Sequence, residues 1–197
     1  CIGSLTNPNR LSNTFKTEKG VDLSKTTIEK YLGYFEDAFL IEETKRFDIK
    51  GRRYINTPKK YYFTDVGLRN ARLHFRQQEE NHIMENIVYN ELIYRGFRVD
   101  VGIVEVCEKQ ADGTFRQKQL EVDFIANKGS QRYYIQSAFD LPTDEKTRQE
   151  IRPYMAIEDS FKKIVVTKNH MKLQRDENGI ATMSIYDFLL NPDSLDL

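Results

Sequence analysis

Two apolar segments separated by a short turn constrain the fold of this chain more than any other feature. Residues 120–125 read Leu-Glu-Val-Asp-Phe-Ile, and residues 132–138 read Arg-Tyr-Tyr-Ile-Gln-Ser-Ala. Both segments are rich in the β-branched and aromatic residues that favour strands, and Asn127-Lys-Gly129 is typical of a hairpin turn. The sequence therefore predicts two strands joined by a turn, with Asp123 in the first strand and Gln136 in the second.

The surrounding pattern predicts a layered α/β arrangement. Gly96 is the expected C-cap of a preceding helix, and Ala111-Asp-Gly113 and Asn178-Gly179 are expected turns. Ile164-Val-Val-Thr167 resembles a buried strand that follows its helix as in a crossover unit. The predicted elements are a helix at 82–95, strands at 97–106, 115–126 and 131–138, a helix at 143–158, strands at 162–167 and 180–185, and a short helix at 186–190. This αβββαβ order favours a mixed central sheet and an α+β or α/β fold class.

The first part of the chain has the pattern of a winged helix-turn-helix. Ser24 is a candidate N-cap, and the helical spacing of apolar residues from Lys25 to Leu40 predicts a helix with one buried face. Strands are predicted at 41–47 and 60–63 around a charged turn in which Gly51 suits a hairpin tip. The apolar helical positions are Ile28, Tyr31, Leu32, Phe35, Phe39 and Leu40. A further short helix is predicted after Thr64-Asp65.

Basic and polar residues of this part are candidates for DNA contact. A recognition helix would expose Lys25, Thr27 and Lys30 toward a major groove. The hairpin would supply five cations as the wing: Lys50, Arg52, Arg53, Lys59 and Lys60. The alternative is that these are solvated charges on a domain used for protein contacts, since the pattern identifies no set of base contacts.

Charge divides the chain into two parts. Residues 1–75 carry 14 Lys and Arg against 9 Asp and Glu, a net of +5, whereas residues 76–197 carry 16 against 21, a net of -5. A polar connector at residues 74–81 lies at the change of sign. We therefore predict a winged-helix domain at 1–75 and a second domain at 76–197, with the first as the side that contacts nucleic acid.

Composition excludes several classes of protein. Hydrophobic residues make up 39% of the chain and aromatic residues 12%, which is enough for a packed core, and the sequence has no transmembrane or signal-peptide pattern. Cys1 and Cys107 are too few for a disulfide framework, and the three scattered histidines have no metal spacing. We expect a cytoplasmic protein with no membrane contact. Because the chain begins with Cys, we also expect a fragment of a longer polypeptide.

The acidic residues of the second part resemble a nuclease site that lacks its lysine. Glu85 opens an amphipathic helix, Asp123 lies in one strand, and Gln136-Ser-Ala138 lies in the next. This order resembles the PD-(D/E)xK restriction-endonuclease-like superfamily, in which the residues matching Asp123 and Gln136 bind metal and a lysine serves the attacking water and the phosphate. Here Ala138 stands where that lysine is expected, so the resemblance implies a degenerate catalytic site and, at Asp123, no more than weak Mg²⁺ binding.

Several longer stretches resemble the C-terminal region of prokaryotic AAA-type ATPases. These stretches are residues 24–40, 61–68, 84–92, 95–97, 121–124 and 134–136. In that family an N-terminal P-loop ATPase precedes a winged helix and a restriction-endonuclease-like domain of unknown function. No Walker A sequence occurs in this chain. The resemblance therefore implies that ATP is bound only by an N-terminal domain of the same polypeptide, which would be this chain's partner.

Three functions follow as hypotheses. The first is a non-catalytic accessory region of an AAA-type ATPase that contacts DNA or regulates the ATPase. The second is an active metal-dependent DNA nuclease with a relocated lysine, for which Lys118 and Lys128 are candidates because they lie near the second and third strands. The third is a purely protein-binding regulatory module. The sequence indicates neither the DNA target nor whether the chain forms an oligomer.

Overall fold

A computed structural model describes residues 3–76, 79–110 and 112–197 of the chain. Within those ranges there are six helices and eight strands. The helices are α1 (Pro8–Lys19), α2 (Lys25–Asp37), α3 (Val66–Arg72), α4 (Glu80–Tyr94), α5 (Asp144–Met155) and α6 (Ile185–Leu190). The strands are β1 (Ile41–Asp48), β2 (Arg53–Phe63), β3 (Arg98–Lys109), β4 (Phe115–Lys128), β5 (Gln131–Ala138), β6 (Lys162–Thr167), β7 (Gln174–Arg175) and β8 (Ala181–Ser184). None of these helices has the length and apolar character that crossing a membrane requires.

The eight strands form one mixed sheet in the order β2-β1-β3-β4-β5-β6-β8-β7. Strands β3, β4 and β5 are successive antiparallel neighbours, whereas β5, β6 and β8 run parallel. Helix α5 connects β5 to β6, as a parallel pair requires, because antiparallel neighbours alone can be joined by a tight turn. The predicted mixed α+β architecture is confirmed at this level.

Both faces of the sheet are covered, so the protein has two apolar cores. On one face α4 and α6 pack against Phe124 and Ile135, and on the other α5 packs against Tyr134 and Val165. Successive strand residues point to opposite faces, which is why Phe124 and Ile125 belong to different cores. Strands buried on both faces read as the nearly continuous apolar runs found in β5 and β6.

Most predicted elements of the second part lie where the periodicity indicates. Strands β5 and β6 have the predicted bounds, helix α4 is shifted by at most two residues at either end, and α5 ends three residues early. Gly96, Gly129 and Gly179 have φ values of 81°, 59° and 75°, a left-handed region that a side chain disfavours. Ala111, in another predicted turn, lies outside the described residues.

The first part differs from its prediction in two helices. Helix α1 was not predicted, although Asn7 caps it, Pro8 opens it and Gly20 ends it in the left-handed conformation. Helix α2 ends at Asp37, and its predicted buried face is wrong because only Ile28 is buried. Four of the predicted core positions are instead exposed: Tyr31, Phe35, Phe39 and Leu40. The reason is that α2 packs on α1 and the beginning of β1 and does not lie over the sheet.

The hairpin of the first part joins the sheet of the second part. Strand β1 runs parallel to β3, with Arg46 opposite Val101 and Phe47 opposite Gly102. Strand β2 is also longer than predicted, because it begins at Arg53. The sheet therefore crosses the predicted boundary between residues 75 and 76, and the division into two domains stays a prediction. Part of the predicted connector, residues 77 and 78, lies outside the described residues.

Gly102 allows the hairpin to approach the sheet, and we expect that a methyl group there is costly. A Cβ atom at this position would lie 2.9 Å from Val122 Cβ and 3.1 Å from Ile49 Cδ1. We expect Gly102→Ala to lower the free energy of unfolding by about 1–3 kcal/mol, as overpacked core sites do. The measurement is urea denaturation followed by circular dichroism.

Gly33→Ala is the matched control, because a Cβ atom at Gly33 in α2 would meet nothing within 4 Å. Alanine is a better helix former than glycine by about 1 kcal/mol, so this variant should be as stable as the natural chain or more so. Equal destabilisation of the two variants would contradict the steric role of Gly102.

Candidate functional site

The candidate site lies where strands β4 and β5 separate. Their backbone pairing ends at Phe124 and Ile135, and side chains replace the ladder beyond that point. The backbone N–H of Ser137 donates to Asp123 Oδ2 at 2.8 Å, and the N–H of Asp123 donates to the Gln136 side-chain oxygen at 3.3 Å. Asp123 and Gln136 therefore lie on neighbouring strands, as their sequence positions predict, and they hold the separated strand ends together.

Glu85 reaches the site from helix α4, and its carboxylate is held by two buried groups of strand β2. Lys60 Nζ lies 3.0 Å from Glu85 Oε1, and the Tyr62 hydroxyl donates to the same oxygen at 2.7 Å. The other oxygen lies 3.8 Å from Nδ1 of His82, one turn earlier on the helix. Lys60 Nζ also lies 2.6 Å from Glu121 Oε1 on strand β4. One ammonium group thus bridges a helix carboxylate and a strand carboxylate.

Burial and charge determine the protonation of this cluster. Burial raises the pKa of Asp123 well above its usual range, and the nearby Glu85 carboxylate raises it further. Burial lowers the pKa of Lys60, but the carboxylates of Glu85, Asp123 and Glu121 outweigh that effect and raise it above the ordinary value. Lys60 therefore stays an ammonium ion at neutral pH, and Asp123 is biased toward its neutral acid form.

Helix α5 also contacts the separated ends of strands β4 and β5. The Gln136 amide Nε2 lies 3.5 Å from Glu150 Oε2, and Glu150 is also paired with Lys146 at 2.6 Å. Ala138, the position expected to carry a catalytic lysine, is buried in the apolar core beneath this helix. Ala138 also lines a surface cleft beside Ser137, so the position expected to carry the catalytic lysine borders both the apolar core and that cleft.

Gly3 covers the Glu85 carboxylate from the N-terminal side. A Cβ atom on Gly3 would lie 2.8 Å from Glu85 Oε1, and the Gly3 N–H donates to the Tyr61 carbonyl at 3.4 Å. Thr6 extends this contact through a bridge to Lys59. The segment before α1 thus lies over the cluster and leaves room only for a residue without a side chain.

Two relocated-lysine candidates lie away from the cluster. Lys118 pairs with Glu108 at 3.5 Å, and Lys128 Nζ donates to the Arg95 carbonyl at 2.8 Å. The prediction that Lys60 is a DNA-contacting residue of the hairpin surface is wrong, because only 3% of this residue is exposed. Its buried position follows from the alternation of β2, in which Lys60 and Tyr62 point inward.

The remaining predicted DNA contacts are distributed over two surfaces. Lys25 pairs with Glu29 at 3.5 Å on exposed helix α2, where the Thr27 backbone N–H donates to Ser24 and Lys30 lies over the Tyr34 ring. The other candidates lie on the hairpin, whose Lys59 is close enough to α2 for its charge to act on Glu36. Lys50 and Arg52 are exposed at the tip, Arg53 pairs with Asp48 at 3.5 Å, and Lys59 pairs with Glu43 at 2.5 Å.

Sequence reasoning missed Lys60, Tyr62 and Glu121 as members of the site. Glu121 had a weak signal, because it lies two residues before Asp123 in the same strand and such residues share a face. Lys60 and Tyr62 had none, because only the long-range placement of β2 beside α4 brings them to Glu85. The predicted residues that the structure brings together, the two acids Glu85 and Asp123 and the neutral Gln136, all belong to the contiguous segment from α4 to β5.

Comparison with known proteins finds relatives without an assigned function. Residues 1–79 match a family described as a domain of unknown function, DUF8612. An uncharacterized protein of Haemophilus influenzae is 35% identical over 189 residues, which cover 96% of this chain and 43% of that protein. Uncharacterized protein MJ1544 of Methanocaldococcus jannaschii is 32% identical over 179 residues, which cover 90% of this chain and 36% of that protein. The chain therefore spans less than half the length of either relative.

Among solved structures, protein VC1899 from Vibrio cholerae is similar at a TM-score of 0.37 with 14% sequence identity. The match covers 96% of this chain and 48% of that one. A similarity at this level does not bear on the fold or the function of the chain described here.

Removing the Lys60 ammonium should destabilise the chain in a pH-dependent way. We expect Lys60→Met to cost about 3–5 kcal/mol of unfolding free energy at pH 8, because it leaves buried carboxylates without a partner. In the natural chain the Lys60 charge lowers the pKa of Asp123 against the effect of burial, so its loss raises that folded-state pKa still further above the unfolded value, and the cost is relieved as pH falls. The deficit should be clearly smaller at pH 5, measured by urea denaturation at the two pH values.

Lys59→Met is the matched control for that experiment. Lys59 is the neighbouring residue, its side chain is 33% exposed, and its pairing with Glu43 lies nearer to solvent. Such a pair contributes about 0–1 kcal/mol, and we expect little pH dependence in the difference. If Lys60→Met lowers the free energy of unfolding no more than Lys59→Met does, the buried ion cluster is refuted.

Asp123→Asn should change the stability at high pH in the opposite direction to Lys60→Met. Because burial raises the pKa of Asp123, ionising it costs stability above its unfolded pKa, and the amide removes that cost while its oxygen still accepts from Ser137. We expect the variant to match or exceed the natural chain in stability at pH 8, with the difference vanishing near pH 4. If Asp123→Asn is less stable than the natural chain and the difference grows with pH, Asp123 is not in its neutral form in the folded chain.

Proposed function

We propose that this chain is a non-catalytic accessory region of a larger AAA-type ATPase, with a degenerate nuclease-like site, and that it contacts DNA or regulates the ATPase. The observation that carries the proposal is the Lys60 ammonium lying between Glu85 and Glu121. An internal cation already neutralises the carboxylates that a nuclease would offer to a metal ion. The cluster then serves as a buried joint between the hairpin and the central sheet.

The donor groups do not suit a catalytic metal as they stand. A hard divalent cation needs several oxygen ligands that are free to coordinate it. Here one oxygen of Glu85 accepts from Lys60 and Tyr62, the Gln136 oxygen accepts from the Asp123 backbone, and Asp123 Oδ2 accepts from Ser137. Each candidate ligand already has an oxygen engaged by a protein donor, and Lys60 already supplies a positive charge, so no hydrolytic step is assigned to this site.

The nearest surface cleft also disfavours a phosphodiester backbone. Near Ser137 and Ala138 this cleft is lined by four acidic side chains and one basic side chain. The acidic residues are Glu79, Glu80, Asp140 and Glu150, and the basic residue is Lys146. Glu79, Glu80 and Glu150 are paired with Arg69, Lys168 and Lys146, so the cations near this cleft are already engaged by carboxylates and the cleft offers no excess of positive charge to a polyanion.

The proposal that this chain is part of an AAA-type ATPase is supported by the positions in the fold of the stretches that resemble that family. Residues 61–68 end β2 and begin α3, residues 84–92 form most of α4, and residues 121–124 and 134–136 lie in β4 and β5. These four of the six stretches meet around Glu85 and Asp123, as expected if they were inherited together, whereas residues 24–40 lie mostly in α2 and residues 95–97 follow α4. The greater length of both relatives is consistent with a larger polypeptide.

Contact with an ATPase part of the same polypeptide is favoured by the exposed aromatic face of α2. Tyr31 and Tyr34 are each 51% exposed, and Phe39 just beyond the helix is 80% exposed. Large apolar side chains grouped on one face are typical of surfaces that bind another protein. This observation supports the regulatory form of the proposal, in which the helix pair contacts the ATPase part.

One observation favours the nuclease alternative, and cleavage assays distinguish the two. Lys60 is a lysine within the carboxylate cluster, as a relocated catalytic lysine would be. We nevertheless expect the purified chain to leave single-stranded and duplex DNA uncut with Mg²⁺ or Mn²⁺, since loss of a transition-state donor typically costs about 10²–10³ in rate. The measurement is gel analysis of end-labelled DNA over a time course.

Asp123→Asn is the control for that assay, because it should fold and lacks the metal-binding carboxylate. Cutting by the natural chain that Asp123→Asn abolishes would overturn the accessory-region proposal. Cutting that persists in both proteins would identify a contaminating nuclease. If Gln136→Glu with Ala138→Lys restores trace cleavage, the backbone retains the geometry of a nuclease.

A further inference from the structure

A second cleft lies at the tip of the hairpin, and its lining does not include the residues of the acidic cluster. It has a volume of about 630 Å³ and is formed by the hairpin, by strand β5 and by the loop before β6. Such a volume suits a small ligand or a few units of a polymer. The residues that matter chemically are Phe47, Lys50, Arg52, Arg132 and Phe161.

Arg132 organises this cleft by lying between two aromatic rings. Its guanidinium carbon lies 5.9 Å from the centre of the Phe47 ring and 5.4 Å from that of Phe161. Its Nε donates to Asn127 at 2.7 Å, which holds the group in place. Tyr54 continues the aromatic surface through an edge contact with Phe47, at 5.2 Å between ring centres. Phe161 is 39% exposed and Tyr54 is 44% exposed, so aromatic surface remains available to a ligand.

Exposed cations surround the aromatic surface. Lys50 and Arg52 are exposed on the hairpin, and Lys45 and Arg98 are exposed beside it. Burial raises the pKa of Asp100, and the charges of Arg98, Lys45 and Arg132 oppose that rise, so these side chains share one region.

The acidic residues of the region are mostly engaged with the protein. Asp48 is buried and accepts from the Gly51 backbone at 2.9 Å, and Asp100 is buried and accepts from Tyr54 at 3.2 Å. Asp159 accepts from the Tyr134 hydroxyl at 2.6 Å and from the Phe161 backbone. Glu158 is the acidic lining residue for which no such contact is described. Glu158 and Asp159 are exposed and keep their negative charges, so the cleft presents three cations, Lys50, Arg52 and Arg132, against two carboxylates, and the exposed Lys45 and Arg98 add positive charge nearby.

We infer that this cleft binds single-stranded nucleic acid, with bases stacked on Phe161 and Tyr54 and phosphates bound by Lys50, Arg52 and Arg132. The inference rests on the proposed function as a nucleic-acid contact and names its substrate class and its site. Exposed rings can stack only on bases that have left a duplex, whereas cations alone would bind either form. The combination of rings and cations in one cleft therefore selects the single strand.

The test measures binding of a fluorescein-labelled oligothymidylate of roughly 20 nucleotides, somewhat longer than a typical single-strand site, and of a duplex of equal length. Fluorescence anisotropy is recorded on the 197-residue chain at several salt concentrations. We expect tighter binding to the single strand and a salt dependence that indicates about three phosphate contacts, with a slope near -2.

Two pairs of variants assign the binding to the cleft. Phe161→Ala should weaken single-strand binding about fivefold or more, because it removes a stacking ring, whereas Phe161→Tyr should bind as the natural chain does. Lys50→Glu with Arg52→Glu should reduce the salt slope by about 1.4, or roughly 0.7 for each lost contact. Lys109→Glu with Lys172→Glu is the control of equal charge change at exposed positions outside the cleft.

The outcomes separate this inference from the proposed function. Equal or tighter duplex binding, insensitivity to Phe161→Ala, or equal loss in the charge control would overturn the single-strand site. Absence of binding to either nucleic acid would also overturn it and would favour a protein ligand for the cleft. Metal-dependent cutting of the oligonucleotide that Asp123→Asn abolishes would refute the non-catalytic proposal and leave the binding site standing.

Discussion

One buried ammonium group, that of Lys60, holds the middle of this structure together. The buried carboxyl groups of Glu85 and Asp123 and the partly exposed Glu121 converge on one region, where like charges repel strongly because little water screens them. Lys60 supplies the compensating charge, and burial of Asp123 favours its neutral acid form. Because Lys60 belongs to β2 and the carboxylates belong to α4 and β4, the ion cluster also fixes where the first part of the chain lies against the second.

Close packing at Gly102 complements the ion cluster in holding the hairpin against the rest of the sheet. Strand β1 pairs with β3 at Gly102, where the side chains of Ile49 and Val122 fill the space that a side chain would need. The hairpin is thereby integrated into the central sheet at both ends, by backbone pairing near its tip and by Lys60 farther along. Helices α1 and α2 lack such a joint, which explains why aromatic residues of α2 are exposed.

The two joints leave surfaces of opposite character around one hairpin. Next to the end of β5 the surface is acidic, whereas at the hairpin tip cations and aromatic rings share a cleft. Four exposed cations of residues 1–75 lie at or near the hairpin tip, Lys45, Lys50, Arg52 and Arg53, whereas Lys60 lies within the acidic cluster. This separation favours a division of labour in which the buried acids serve the fold and the hairpin tip serves recognition.

The local sequence pattern determined much of the secondary structure in the second part of the chain. The bounds of β5 and β6, the helix at α4, and the neighbouring positions of Asp123 and Gln136 all follow from periodicity and turn residues, because these depend on contacts close in sequence. The absence of lysine at position 138 was also readable directly from the motif. Two local signals were overlooked, since Pro8 and Gly20 mark the ends of α1 as helix punctuation usually does.

Only the tertiary structure decided which residues lie beside Glu85 and Asp123. Lys60 looks like one more surface cation in a basic hairpin, and its burial follows from the pairing of β1 with β3, which places β2 beside α4. Arg132 and Phe161 likewise meet the hairpin tip only through the order of strands in the sheet. The sequence by itself determined which elements form and which acids they carry. The neighbours of those acids depend on contacts between residues far apart in the chain, which no local pattern encodes.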